Sequence, residues 1–276
     1  MEQGSRFLIG IDLGTTNSVV AYVDTYAAAE SGSAPIRLFE VPQLVAPGEV
    51  RALPALPSFL YFPTEHDTAS GGMSLPCDEH SASIAGVMAR EQGALTPGRQ
   101  VSSAKSWLCD PAVGRRGDIL PPDADTSVAK VSPIEASARY LIHLKNAWNH
   151  EQVTHSQNGG EASWFEDQAV VLTVPASFDA EARELTGEAA QRAGLKNFIL
   201  LEEPIAAFYA WIAAHEDRLG EDLHDGDLVL ICDVGGGTTD FSLVRVRMVS
   251  GKVEFERTPS ANTYCSAVTM LMSLWP

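Results

Sequence analysis

Two segments far apart in the chain carry the same arrangement, Asp12-Leu13-Gly14-Thr15-Thr16-Asn17 and Asp233-Val234-Gly235-Gly236-Gly237-Thr238-Thr239-Asp240. An apolar run precedes each (Phe7 to Ile11, Leu228 to Cys232), and a β-prone run follows each (Ser18 to Val23, Phe241 to Val246). Each therefore predicts a strand, a tight turn with an acid at its mouth, and a returning strand. Glycines let a backbone approach a ligand closely and turn N–H groups toward an anion, which suits a phosphate. The threonines add hydroxyl donors, and the carboxylates can hold a hydrated divalent cation. Two such hairpins predict a clamp on a polyphosphate and a chain built from two related lobes.

The 276 residues have room for one large or two ordinary domains, and 45% apolar content is that of a globular protein. Acidic residues outnumber basic ones by 36 to 19, a formal charge of −17 that argues against nucleic acid or an anionic membrane as the main partner. It does not argue against a nucleotide, which needs only local donors and a cation. The N-terminus runs straight into a strand, and no signal-like or membrane-length apolar run is present, so a cytoplasmic location is expected. Cys77, Cys109, Cys232 and Cys265 form no C-x-x-C pair and are expected to be reduced thiols. The seven histidines show no ligand spacing.

Strands and helices alternate along the chain, which predicts an α/β architecture. A hairpin is expected over residues 7–24, a strand over 36–41, a strand entry at 56–62 and an exposed polar loop over 63–83. Ser132 and Pro133 open a helix expected to reach about Asn149, followed by a loop over 150–168. Ala169 to Val174 reads as a buried strand ended by Pro175. A helix is expected from Asp179 as N-cap to Ala193, with Gly194 just past its end. A short strand at 198–201 and a helix over 204–214 precede the second hairpin. Trp107, Trp148, Trp164 and Trp211 are expected to serve in packing.

At these motifs the chain resembles the nucleotide-binding domain of the heat-shock protein 70 chaperones, in the actin-like ATPase superfamily. The likeness runs in order through IGIDLGTTNSVVA from Ile9, LPSFLYF from Leu56, SSAKSWL from Ser102, LTVPASFDAEAR from Leu172, LEEPIAAFYAW and CDVGGGTTDFSLV. One glycine-rich motif would be weak evidence, whereas this ordered set is specific. The chain is closer to divergent bacterial members, since residues 25–55 and 150–168 look expanded. The resemblance implies an actin-like, ribonuclease H-like fold with duplicated βββαβα lobes. Residues 1–54 would begin the core of lobe I, 55–130 its peripheral subdomain and 131–200 complete that core, with lobe II starting over 201–258.

The resemblance also implies roles. Gly14, Thr15, Thr16 and Asn17 match the first phosphate loop, and Gly235, Gly236, Gly237 and Thr238 the second. Asp12, Glu203 and Asp233 match carboxylates that hold magnesium through its water shell. Lys105 matches the lysine that positions the attacking water, with Asp233 and Thr238 close to that water. Pro175 and Arg183 match residues that relay nucleotide state to a peptide-binding domain. The implied cofactors are ATP or ADP with magnesium, and potassium as a further cation. In the full-length family the partners are unfolded peptides, co-chaperones and nucleotide-exchange factors. The small-molecule kinases and the filament-forming actin-like proteins of the same superfamily are alternatives, and the Lys105 segment and the LEEPIAAFYAW run favour the chaperone over both.

After Thr258 the resemblance stops. A family member would show a Gly-Gly-Asp turn opening a helix where this chain reads Pro259-Ser260-Ala261-Asn262-Thr263-Tyr264-Cys265 and ends at Trp275-Pro276. One back-translation of residues 259–276, shifted by two bases, restores the Gly-Gly-Asp turn within a seventeen-residue family-like run. The tail is therefore expected to be an out-of-frame readout and the chain a truncated domain, impaired in ATP binding and hydrolysis. Residues 228–258 are then expected to expose apolar strand faces and an unpaired edge.

Overall fold

Phe7, Ile9, Ile11 and Leu13 are all buried while the residues between them are not, the two-residue alternation of a strand with one face in a core. This is β1 (Phe7–Leu13), and the chain turns directly into β2 (Asn17–Asp24). The computed structural model describes residues 5–31, 34–69, 71–78, 82–124, 126–157, 163–215, 218, 223–236, 239–249 and 252–257. They form two units, one of residues 1–172 and 180–200, the other of 173–179 and 201 onward.

In the first unit α1 (Thr25–Ser31), β3 (Arg37–Leu38) and a hairpin of β4 (Val41–Ala46) and β5 (Glu49–Leu53) follow. Next come β6 (Leu56–Pro57), β7 (Phe59–Tyr61), α2 (Glu65–Ala69), β8 (Ile84–Ala85), α3 (Val87–Leu95), β9 (Gln100–Ser102) and α4 (Ala104–Cys109). The long α5 (Pro133–Gln157) leads to β10 (Ala169–Val174), α6 (Ala180–Arg192) and β11 (Phe198–Glu202).

The main sheet has the order β11-β10-β1-β2-β3, with β6 also paired to β2; β1 runs parallel to β10 and antiparallel to β2. Its core is centred on Trp148 of α5, whose ring meets Phe7, Tyr22 and Phe165 edge-on at 5.3, 5.2 and 5.8 Å. The indole N–H donates to the Ser163 carbonyl at 2.8 Å, so the buried ring leaves no polar atom unmet. A smaller sheet, β8-β7-β9, covers a second apolar cluster of Leu44, Tyr61, Leu75, Ile84, Met88 and Ala89.

Helix α6 ends as expected. Gly194 takes φ +87°, its N–H bonds to the Gln191 carbonyl and the Leu195 N–H to that of Ala190, the paired bonds of a glycine-terminated helix. Lys145 of α5 donates to the Ala193 carbonyl at 2.8 Å and ties the two helices together.

Three expectations need correction. The strand over 36–41 is broken into β3 and the start of β4, because Phe39 turns into the core between them and donates to the Val20 carbonyl. Residues 63–83 are not simply an exposed loop, since α2 lies within them and Leu75 is buried in the second cluster. Helix α5 continues two turns past Asn149, whose side chain bonds Glu166 at 2.8 Å and the Phe165 N–H at 2.8 Å and so organises the return to β10. Within that loop, Asn158-Gly159-Gly160 lies outside the described residues, as do residues 258–276.

The second unit holds α7 (Glu203–Ala214) packed on an antiparallel sheet of β12 (Leu228–Val234), β13 (Thr239–Val249) and β14 (Lys252–Arg257). Every second residue of β12 points outward. Leu228, Leu230 and Val234 are 51%, 63% and 71% exposed, and Cys232 lies among them opposite the half-exposed Phe241. Among the described residues β12 is an edge strand, so the expected apolar face and free edge are both present.

Candidate functional site

The two hairpins share one register. In the first, Asp12 pairs with Val19 and Leu13 with Ser18, which leaves residues 14–17 as the connection. In the second, Asp233 pairs with Asp240 and Val234 with Thr239, which leaves residues 235–238. Both connections are four residues long, and both acids sit one residue before the last pair.

In the first loop glycine is required. A Cβ on Gly14 would overlap the carbonyl oxygen of Asn17, which is backbone and cannot swing aside. Asp12, Thr16 and Asn17 are exposed and Thr15 half-buried, so the loop's hydroxyls face solvent. Ser58, 1% exposed, holds the loop from behind. Its N–H donates to the Thr16 carbonyl and its hydroxyl to the Gly14 carbonyl, both at 2.8 Å. That commits its single hydrogen, so Ser18 is the donor in the 3.0 Å bond between the two hydroxyls. The Ser58 carbonyl in turn accepts from Tyr140 of α5 at 2.9 Å.

Ser58 also links the loop to Lys105. The next residue, Phe59, pairs with Ser102 of β9, and α4 starts two residues later with Lys105 in its first turn. Lys105 is 9% exposed, a burial that a solvated surface lysine would not show. Helix α4 is held at both ends. Ser103 before it takes the left-handed conformation, φ 55°, unusual for a residue with a side chain. Beyond its end, buried Arg115 donates to the carbonyls of Asp110 and Cys109 at 3.3 and 3.4 Å and pairs with Glu181 of α6 at 3.3 Å. A cation at carbonyls leaving a helix suits its C-terminal dipole.

In the second unit Asp233 and Asp240 lie directly opposite on one face of the hairpin, Asp233 half-buried and Asp240 buried. Facing carboxylates repel unless a cation or proton lies between them. Glu203 opens α7, where a carboxylate also meets the helix N-terminal dipole, and Pro204 follows it. Gly235 and Gly236 are exposed, and Gly237 and Thr238 lie outside the described residues. Buried Pro175 ends β10 and its carbonyl accepts from the Phe178 N–H at 3.2 Å; Arg183 is half-buried on α6. Within the second unit, Asp233 and Asp240 offer only hard carboxylate oxygens, the donor chemistry of magnesium and not of a soft metal.

Sequence reasoning missed Ser58, Arg115 and the role of Asp240. Ser58 gave one readable sign, a small hydroxyl residue between apolar neighbours at the entry to a strand. Arg115 gave none, because its partners come from two separate segments.

The arrangement defines a mixed α/β protein with paired glycine- and threonine-rich turns suited to phosphate. The profile of the family described as Hsp70 protein matches residues 126–264, half of the chain. The chain is 32% identical over 255 residues to a chaperone protein HscA homolog of Actinobacillus pleuropneumoniae serotype 5b. It is 33% identical over 253 residues to the protein so named in Haemophilus influenzae strain PittEE, and 31% over 241 to that of Pseudomonas aeruginosa strain LESB58. Each match covers 87% of this chain and 33% of the relative, so the chain spans about a third of the length of these relatives. The chain belongs to the Hsp70 family.

Proposed function

We propose that this chain carries the phosphate-gripping part of an ATP-hydrolysing domain, with the duplicated lobes of the actin-like fold, in a cytoplasmic chaperone whose nucleotide state controls its affinity for unfolded peptides. The observation that carries the reading is the shared register of the two hairpins, each presenting an acid and a four-residue turn of glycine and hydroxyl residues.

In this reading the N–H groups and hydroxyls of residues 14–17 and 235–238 bind the phosphates. Asp12, Glu203 and Asp233 would hold magnesium, which would neutralise phosphate charge. Lys105 orients the attacking water, with Asp233 and Thr238 beside it. Hydrolysis forms a bond from water oxygen to the γ-phosphorus and breaks the bond to ADP, with the proton leaving through solvent. Positioning and charge neutralisation are most of what this reaction needs. The buried setting of Lys105 and its tether through Ser58 to the first loop support such a role. Pro175 and Arg183 would pass nucleotide state to the peptide-binding part, and co-chaperones and exchange factors would act on the whole protein.

The open face of β12 and β13 supports a further reading, that the 276-residue chain alone binds ATP weakly. Titration calorimetry with magnesium-ATP is expected to give binding weaker than micromolar or none, and micromolar or tighter binding would overturn this. Phosphate release from millimolar magnesium-ATP without any acceptor tests the hydrolytic role itself; no release would sink it.

A further inference from the structure

Helix α5 is buried on two sides. Tyr140, Leu141, Leu144, Ala147 and Trp148 belong to the main core. A second face, Glu135, Arg139, Ile142, His143 and Asn146, follows helical spacing and lines a cavity of about 270 Å³ elsewhere in the first unit. That volume is near the lower end of small-molecule sites, roughly 300 Å³. The facing wall is apolar, formed by Leu60, Met73, Leu75 and Ile84.

The two polar ends differ. At one, Arg139 is satisfied within the wall, donating to Glu135 at 2.9 Å and to the Ser83 hydroxyl at 3.0 Å, with its guanidinium 5.5 Å from the Phe62 ring centre. At the other, the Asp78 side chain makes no hydrogen bond or ion pair with any described residue. His143 beside it is 5% exposed, and its Nε2 lies 2.9 Å from the Pro42 carbonyl. A carbonyl only accepts, so Nε2 carries the proton and Nδ1 is left as an acceptor in the neutral ring. Burial favours that neutral ring. This end therefore offers a carboxylate and a lone pair. Glu135 at the other end is already matched by Arg139 at 2.9 Å and Arg192 at 3.6 Å, which leaves Asp78 as the uncompensated charge among the described lining residues. A ligand that donates hydrogen bonds and carries positive charge is the complement.

We propose that this cavity binds a small primary amine with an apolar body, its ammonium at Asp78 and His143 and its hydrocarbon against Met73, Leu75 and Ile84. The site is independent of the nucleotide reading, sharing none of its residues.

The test is saturation-transfer NMR on the 276-residue chain with three matched probes: phenethylamine, 2-phenylethanol and 3-phenylpropionate. Phenethylamine is expected to bind at least tenfold more tightly than the alcohol or the carboxylate. Asp78→Asn is expected to remove that preference, and Ile142→Trp, which fills the cavity, to abolish binding. Thermal melting confirms that each variant is folded, and Asp78→Asn, being isosteric on a partly exposed segment, keeps the test open if Ile142→Trp misfolds. Equal binding of the three probes, no binding of the amine, or an unchanged preference in folded Asp78→Asn would overturn the proposal.

Discussion

The Ser58 hydroxyl donates to the Gly14 carbonyl at 2.8 Å, across 44 residues of chain, and thereby joins the first glycine-rich turn to the strand from which the Lys105 segment is hung. Ser58→Ala removes this bond and leaves Ser18 and the Gly14 carbonyl short of a partner in a buried place. A loss of about 1–3 kcal/mol in unfolding free energy is expected from urea denaturation. Ser58→Thr keeps the hydroxyl and should lose less. An alanine variant as stable as the parent would show that the tether carries no weight.

Gly14→Ala should be worse than its single methyl suggests. The new Cβ meets the Asn17 carbonyl oxygen, so the turn itself must open. A cost of order 1–3 kcal/mol is expected. Faster amide hydrogen exchange should be confined to residues 12–19, and exchange unchanged there would contradict the geometry.

His143 gives stability a pH dependence of known sign. Burial pushes its pKa below the ordinary histidine value, and the Pro42 carbonyl and the Asp78 charge only partly offset this. Between the folded and unfolded pKa values the unfolded chain binds more protons, so stability rises with pH. The contribution of the neutral ring is whole above about pH 6.5 and is lost as the pH falls below it, by at most about 1.4 kcal/mol per pH unit. His143→Gln can keep the donor to Pro42 without the titration. Urea melts at pH 7.5 and 5.5 should show the parent losing stability relative to this variant on acidification, and a constant difference would refute the assignment.

The open face of β12 can be probed directly. Cys232 lies on it, whereas burial pushes the Cys77 thiol up to about 11. Iodoacetamide at pH 7.5 should modify Cys232 at least roughly tenfold faster than Cys77. Leu230→Glu, at a 63% exposed position, should change stability by no more than about 0.5 kcal/mol yet raise the monomeric fraction in size-exclusion chromatography. Equal thiol rates, or a marked loss of stability in Leu230→Glu, would show that the face is covered.

How much of this was legible in the chain itself depends on range. The hairpins could be read because strand, turn and returning strand are contiguous and glycine has a distinct backbone freedom. The end of α6 could be read for the same reason at Gly194. The reach of α5 past Asn149 could not, since it depends on Asn149 bonding to Phe165 and Glu166 in the returning segment. Nor could burial of Leu75, which sits in a polar stretch and gains its neighbours from β7, β8 and α3. Of the candidate site, the motif residues were visible, while Ser58 and Arg115 act through partners distant in sequence.

The outward leucines of β12 also set a clock. Anything that covers them from later in the same polypeptide is made after them, at about 5–20 residues per second during synthesis. For those seconds the ribosome displays a sticky ribbon with an open edge, and a stalled or slowed translation event just downstream prolongs the display. If self-association competes with folding, the synthesis rate past residue 234 would count alongside equilibrium stability in setting how much of the chain escapes it.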